Sequence, residues 1–395
     1  MKVCITAHSA KGFGEFVGGS ERQSALLARA LAERGHEVSY VVAGMAGADR
    51  TIDGVRLRGA WDPDGGVRYV RAARRYSRLF SLLREEQADV YYARGASYYT
   101  PFVMRAANEV GAVSVLALAS DKDFYGPSGK YLFKVGNHRA SAVIGPVAHA
   151  AFRRWGLRAA DVVAVQNDEQ AEACTALGLR HGVLPSIVQP PPEELLAVEP
   201  ACDVVWVGNV FEGRRSKGLE ELVTLAALLP HVGFTVIGHL TGESSRAPRE
   251  ALDGMPNVRL LGPQPHTATQ RRIVEHRLVL NTSPSEGFSN VMLEGWALGR
   301  PSVTLAVNPS ELLSTDRLGI CAHGDLYALA AAIAALLAEP AAWLAMGARC
   351  RDYVSRVHDA GHVVDTFLAL ATPEERGPAT SKVRRVEPRR SPIER

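Results

Sequence analysis

Cysteine is scarce: five residues in 395, at Cys4, Cys174, Cys202, Cys321 and Cys350, odd in number and never in a Cys-x-x-Cys pair. That argues against both a disulfide framework and a zinc site, and the five read as buried thiols. The twelve histidines show no ligand spacing, so no metal site is expected, and lone ones such as His8, His239 and His266 read as structural or surface groups. Long apolar runs are missing as well. No segment approaches the roughly 18 uninterrupted apolar residues of a membrane span, and the short apolar start from Lys2 to His8 falls far short of a signal peptide. The most apolar window, Leu326 to Leu337, is Ala-rich and only about a dozen residues long, which suits a buried helix. A cytoplasmic protein is the resulting expectation.

Charge of one sign is lacking overall, with a net +3, yet its distribution is uneven. From Thr372 onward seven Lys/Arg stand against four Asp/Glu, which accounts for the whole excess. Residues 65–160 hold fifteen Lys/Arg against six Asp/Glu, so the rest of the body is acidic by the same margin. Within that basic segment Arg68, Arg71, Arg74, Arg75 and Arg78 recur at helical spacing, with Val70, Ala73, Phe80 and Leu83 on an apolar face behind them. Two readings fit: a solvated face paired with acids elsewhere, or a surface for anionic lipid or an anionic acceptor. No aromatic-interleaved basic motif or helix-turn-helix pattern accompanies it, which argues against nucleic acid.

What is present in quantity is apolar residue, 47% of the chain. At 395 residues this is too much for one ordinary core and suits two domains of about 150 to 200 residues. Lys2 to His8 reads as a strand, followed by a glycine-rich loop (Gly12, Gly14, Gly18, Gly19) and an amphipathic helix from about Ser20 to Arg34, closed by Gly35. His36 to Gly44, Asp89 to Arg94, Ala112 to Ser120 and Asp161 to Asn167 continue a strand–helix alternation, the pattern of a parallel, doubly wound sheet. Pro185, Pro190, Pro191, Pro192 and Pro200 then break the pattern between Leu184 and Pro200, which reads as an interdomain linker. Beyond it the alternation restarts with Val204 to Asn209, Phe234 to Gly238, Val258 to Gly262, Leu278 to Ser283 and Ser302 to Val307. The sequence thus predicts an α/β chain with two doubly wound units: residues 1–190, a linker at 191–200, and 201–371 with terminal helices. A basic tail at 372–395 has too few apolar groups to order itself.

The most specific run is Asn281-Thr-Ser-Pro-Ser-Glu286-Gly-Phe-Ser-Asn-Val-Met-Leu-Glu294-Gly-Trp-Ala-Leu-Gly299-Arg-Pro301. A strand ends near Ser283, a turn carries Glu286 and Gly287, and a helix begins around Ser289 or Asn290. Its first amides are unpaired and sit at the positive end of the helix dipole, a setting for a diphosphate. Glu286 precedes that helix and Glu294 lies over one turn into it, so both carboxylates can accept hydrogen bonds from sugar hydroxyls.

This run resembles the signature of the retaining nucleotide-sugar glycosyltransferases of family four (glycosyl transferases group 1): Glu, seven residues, Glu, with Gly-Phe after the first. The resemblance extends over nearly the whole chain, since Gly18-Gly19-Ser-Glu-Arg-Gln with Gly35-His36-Glu37-Val38 looks like the family's opening, and Trp206-Val-Gly-Asn with Lys217-Gly218 like its phosphate-binding segment. It implies two facing Rossmann-like domains in the GT-B architecture, the first binding acceptor and the second binding a UDP- or GDP-sugar, with retaining hexosyl transfer to a hydroxyl. Carried over, Glu286 contacts donor sugar hydroxyls and Glu294 the ribose. The amides of Ser289, Asn290 and Val291, after Gly287 and Phe288, meet the diphosphate, and Gly18 and Gly19 admit the first-domain backbone to the reacting centre.

Lys217 is the candidate for neutralising the leaving diphosphate as the bond to the sugar breaks. Where the family usually pairs this Lys with an Arg, the chain has Asn209, and Arg214 or Arg215 in a slightly longer loop can supply the guanidinium. Where many relatives carry a His near the anomeric carbon, the chain reads Ser120-Asp121-Lys122-Asp123, so Asp121 or Asp123 is placed there, to orient a sugar hydroxyl or the acceptor. Asp-x-Asp at Asp121/Asp123 and Asp62/Asp64 is too common a triplet to argue for manganese. Metal-independent activity with no cofactor beyond the donor is expected. Partners are therefore the nucleotide sugar and a hydroxyl acceptor, anionic or lipid-linked, with peripheral contact to the inner face of a membrane. The alternatives are a sugar-nucleotide epimerase of the same fold and a noncatalytic carbohydrate-binding protein, in which Glu286 and Lys217 would be dispensable.

Overall fold

The computed structural model describes residues 1–14, 19–43, 49–60, 68–97, 99–120, 123, 151, 153–211 and 217–372, with the side chains of 68–75 excepted. The first sheet has the strands β1 (Lys2–Ala7), β2 (Glu37–Val42), β3 (Arg50–Ile52), β4 (Val55–Gly59), β5 (Val90–Arg94), β6 (Val113–Ala117), β7 (Val162–Val165) and β8 (His181–Val183), in the order β3-β4-β2-β1-β5-β6-β7-β8. Neighbours are parallel except for the β3–β4 hairpin. The strands are Val-rich and β1, β2, β5, β6 and β7 are buried along nearly their whole length, as a sheet covered on both faces requires.

Alternate residues of one strand feed two cores. Tyr92 of β5 joins Ile5, Val115 and the Leu26, Leu27 and Leu31 stripe of helix α1 (Gly19–Glu33). Tyr91 joins Leu116, Leu79 and Leu83 of α2 (Arg68–Glu86), and Val103 and Met104 of α3 (Thr100–Glu109), on the other face. Each such fully buried side chain contributes on the order of 1.5–3 kcal/mol. Leu79 and Leu83 are thus spent inside the domain, so the described part of the α2 apolar face is not free to enter a membrane. The basic side chains Arg68, Arg71, Arg74 and Arg75 lie outside the described residues, as does the tail from 373. Arg78 is exposed and Arg84 pairs with Glu109 at 3.1 Å.

The second sheet contains β9 (Cys202–Val207), β10 (Phe234–Ile237), β11 (Val258–Gly262), β12 (His276–Asn281), β13 (Ser302–Thr304) and β14 (Gly319–Cys321), all parallel, in the order β11-β10-β9-β12-β13-β14. Between and after them run α4 (Asp168–Ala176, still in the first domain), then α5 (Glu193–Leu196), α6 (Leu219–Leu228), α7 (Glu243–Asp253), α8 (His266–Val274), α9 (Asn290–Ala297), α10 (Leu312–Thr315), α11 (Leu326–Ala338), α12 (Pro340–Val357) and α13 (Ala360–Leu370). The strand order reverses between β1 and β5 in the first sheet and between β9 and β12 in the second. At such switch points the loops diverge and leave a crevice at the carboxyl ends of the strands.

Two boundaries differ from the sequence reading. The sequence pattern puts the terminal helix α13 with the second unit, but Val363, Val364, Phe367 and Ala371 lie in the first domain's core, with Phe367 edge-on to Tyr92 at 5.8 Å. Periodicity marks such a helix as amphipathic without saying which core it faces. The Pro-rich stretch is also less bare than a linker, since Leu184 and Ile187 are buried in the first core and Glu193–Leu196 forms a short helical turn. No single helix among the described residues is long and apolar enough to cross a membrane.

Candidate active site

The switch point of the second sheet assembles the predicted donor residues. Lys217 Nζ donates to Glu286 Oε1 at 2.6 Å, and Ser283 Oγ donates to the same oxygen at 2.8 Å. Burial acts to raise the Glu286 carboxyl, but the Lys217 ammonium and the Ser283 and Ser289 hydroxyls outweigh it and hold it below the usual range. Glu286 is therefore an ionised acceptor. Helix α9 starts beside it, with Ser289 at its N-cap and its earliest capping bond running from Leu293 N to Ser289 O at 3.2 Å. The preceding amides, Asn290 and Val291 among them, have no acceptor within the helix, and Ser289 and Val291 line one pocket with Lys217 and Glu286. A cation, a carboxylate and a helix start in one pocket suit a diphosphate-linked sugar.

Lys217 is held by its backbone as well as its side chain. Trp206 Nε1 donates to Thr282 Oγ1 at 2.9 Å, and Thr282 Oγ1 donates on to Lys217 O at 2.9 Å. Gly218, at φ +74°, passes so close to β12 that a Cβ there would sit 1.9 Å from Thr282 O. Only glycine fits both the left-handed backbone and that approach. Thr282 is fully buried and carried no sequence signal, because its two partners are far away in the chain.

Glu294 lies in the second turn of α9, next to His266 at the start of α8 (Nδ1 to Oε1 3.8 Å) and Arg22 of the first domain (Nε to Oε1 4.0 Å). Burial pushes the Glu294 carboxyl up to about 7, which Arg22 offsets only in part. Burial and the Arg22 charge push His266 down to about 4, so it is neutral at physiological pH. The sequence alone marks His266 as a structural or surface group. Its place beside Glu294 depends on α8 and α9 packing side by side, which spacing along the chain does not reveal.

The two domains touch at this site. Gln23 Nε2 donates to Asn290 Oδ1 at 3.1 Å and to Ile187 O at 3.0 Å, and Asn167 Nδ2 donates to Gly287 O at 2.7 Å. A Cβ at Gly19 would fall 2.3 Å from Asn290 Nδ2, and one at Gly287 would fall 2.6 Å from Gln166 Oε1 and 2.7 Å from Gln170 Nε2. Both glycines are thus sites of close interdomain approach. Phe288 packs edge-on between Trp296 and His358 at 5.9 and 5.5 Å, anchoring the loop.

Six expected residues take other duties or escape description. Asp123 is 8% exposed and its carboxylate accepts from the amides of Ala96, Ala119 and Ser120 at 3.1, 2.7 and 3.2 Å. It clasps the loops that follow β5 and β6, which leaves it a positioning group rather than the substrate ligand expected. Asn209 Oδ1 accepts from His239 N at 2.8 Å and ties the loop after β9 to that after β10. Gly18, Asp121, Arg214 and Arg215 lie outside the described residues.

Residues 18–185 match the family described as Glycosyl transferase 4-like domain, and residues 201–339 match Glycosyl transferases group 1. No curated protein matches the chain by sequence. Among solved structures the chain is similar to sucrose-phosphate synthase from Thermosynechococcus elongatus, at 15% identity and a TM-score of 0.70, over 93% of this chain and 98% of that one. It is similar to Anabaena Alr3699/HepE in complex with UDP and glucose, at 17% identity and TM-score 0.66, over 93% and 98%. WaaG, a glycosyltransferase involved in lipopolysaccharide biosynthesis, matches at 17% identity and TM-score 0.67, over 94% and 100%. At these identities the likeness is one of fold, and the fold is the two-domain GT-B architecture.

Proposed function

Because the chain belongs to the glycosyl transferases group 1 and is a glycosyltransferase of GT-B architecture, we propose that it moves a hexosyl group from a UDP- or GDP-sugar to a hydroxyl acceptor with retention. The observation that carries the donor reading is the Lys217–Glu286 pair at the start of α9, at 2.6 Å. In the transfer, the bond from the anomeric carbon to the phosphate oxygen breaks and its electron pair leaves with the diphosphate. The acceptor oxygen forms the new bond, and its proton passes to the departing diphosphate oxygen. Lys217 and the first amides of α9 stabilise the charge that grows on the leaving group, a fixed and partly desolvated arrangement that lowers the barrier. Glu286, kept ionised, holds hydroxyls of the transferred sugar, and Glu294 the ribose. UDP in the complex of the Anabaena protein favours, by likeness, a uridine donor.

With cation and helix amides in place to meet the diphosphate, turnover is proposed to need no divalent ion. The test is transfer from a panel of UDP- and GDP-hexoses, run with and without EDTA, on the wild type, Glu286→Gln and Glu294→Gln. Glu286→Gln is expected to lower turnover with nucleotide affinity near wild type, and Glu294→Gln to weaken nucleotide binding. Equal loss of nucleotide affinity in both contradicts these roles, and loss of turnover in EDTA contradicts the metal-independent reading.

A further inference from the structure

We propose that Arg94, with Gln166 and Ser186 beside it, is an oxyanion-binding residue of the first domain that receives a phosphate or carboxylate carried by the acceptor. The inference rests on the transferase reading and deepens it, since it names the chemical class of the acceptor.

Arg94 ends β5, at the switch point between β1 and β5 where the first sheet opens its crevice. It is 8% exposed, yet Nη2 reaches only the Ser186 hydroxyl, at 3.3 Å, and Nε–H finds no acceptor. Among the described residues no carboxylate lies within 4 Å of it. Two other buried charges, Glu86 and Arg300, are settled differently. Glu86 is fully buried between Arg56 and Arg58, at 2.7 and 2.6 Å. Arg300, equally buried, gives its N–H groups to the carbonyls of Val274 and Val198 at 2.9 to 3.1 Å. That is how a structural guanidinium is satisfied. Arg94 is left with unused donors and an uncompensated charge, an arrangement that destabilises a fold and is characteristic of a site awaiting its counter-ion.

Gln166, at the end of β7, reaches the same Ser186 hydroxyl through Nε2 at 3.4 Å and leaves Oε1 buried and unpartnered, an acceptor for a hydroxyl of the molecule whose oxyanion Arg94 holds. Gln166 also borders Gly287, the residue after Glu286. The line Arg94, Ser186, Gln166, Gly287 therefore runs from the first-domain crevice to the place proposed for the transferred sugar. An oxyanion on the forked guanidinium fixes the acceptor in orientation as well as position. With Arg94 left out, residues 65–160 still hold fourteen Lys/Arg against six Asp/Glu, a basic excess that favours an anion on this domain independently of Arg94.

The experiment uses the full chain saturated with UDP, so that the donor site cannot take the probe. Thermal unfolding is followed as chloride is replaced by inorganic phosphate or by acetate at constant ionic strength. One of the two oxyanions is expected to raise the unfolding temperature of the wild type, and which one does so separates a phosphorylated from a carboxylated acceptor. Arg94→Gln should lose that shift, with oxyanion affinity weaker by at least about tenfold. In chloride alone it should unfold no earlier than wild type, because a buried unpaired charge has been removed. Arg94→Lys keeps the charge without the fork and should retain only part of the shift. The proposal is overturned if neither oxyanion stabilises the wild type beyond chloride, if the shift is equal in Arg94→Gln, or if Arg94→Gln unfolds earlier in chloride. Nucleotide binding, titrated separately with UDP and GDP, distinguishes the two levels: intact binding of either without an oxyanion effect sinks this inference alone, whereas a folded chain that binds neither sinks the donor reading.

Discussion

Replacing Glu294 by Gln should change how stability depends on pH, because burial holds the carboxyl at about 7 instead of its ordinary 4.5. A carboxyl raised in the folded state binds its proton more tightly there than in the unfolded chain. Its contribution to stability is complete below about pH 4.5 and is lost as pH rises through about 7. At about 1.4 kcal/mol per tenfold in proton affinity, that interval is worth up to about 3 kcal/mol. Glu294 is 16% exposed beside Arg22, so little of this is screened away. His266 acts in the opposite sense, since its pKa is pushed down to about 4 and its contribution is lost as pH falls below 6.5. That term is common to both proteins and drops out of the difference. Unfolding temperatures of wild type and Glu294→Gln, followed from pH 5 to 8.5, should therefore draw apart by several degrees, the wild type losing ground as pH rises. Nucleotide affinity should move the other way in the wild type, strengthening as Glu294 ionises and can accept from the ribose hydroxyls. Parallel stability curves would refute the account of a buried, protonatable Glu294.

Gly287→Ala should leave the donor loop intact but put a methyl against Gln166 and Gln170, both at under 3 Å. Turnover is expected to fall by about tenfold or more through lost alignment of the domains, with UDP affinity within a few-fold of wild type; unchanged turnover contradicts the close approach. Thr282→Val strands the buried Trp206 N–H and the Lys217 carbonyl, so stability should drop by about 1–3 kcal/mol and turnover by more than UDP affinity; Thr282→Ser should restore both. The Arg stripe of α2 is proposed to give salt-sensitive binding to anionic vesicles through charge alone, its described apolar residues being internal. Sedimentation that survives Gln at Arg68, Arg71, Arg75 and Arg78, but not removal of the tail after Ala371, assigns that binding to the tail.

The two sheets were legible in the sequence because buried parallel strands appear as short apolar runs between amphipathic helices, as in Val204 to Val207 and Val113 to Ala117. What escaped was small or distant. The β3–β4 hairpin has an edge strand of three largely exposed residues, too few to show a period. Helix α13 was visible as a helix, but its placement on the first domain depends on Phe367 meeting Tyr92, a contact across most of the chain. The donor motif was readable since Glu286, Ser289 and Glu294 sit within a few residues on one turn and one helix. Arg22, His266 and Thr282 reach the same place from separate elements, and Asp123 looks like a functional carboxylate until its three amide partners are seen. Arg94 ends an ordinary strand, and only its want of a partner in the fold marks it.

The central claim is that a nucleoside diphosphate sits between Lys217 and the start of α9, and calorimetric titration of the full chain with UDP and with GDP tests it most directly. The account predicts one site for at least one of the two nucleotides and an affinity at least about tenfold weaker in Lys217→Ala, the loss of a charge-assisted contact to phosphate. A folded protein that binds neither nucleotide, or binds one equally well without Lys217, contradicts it.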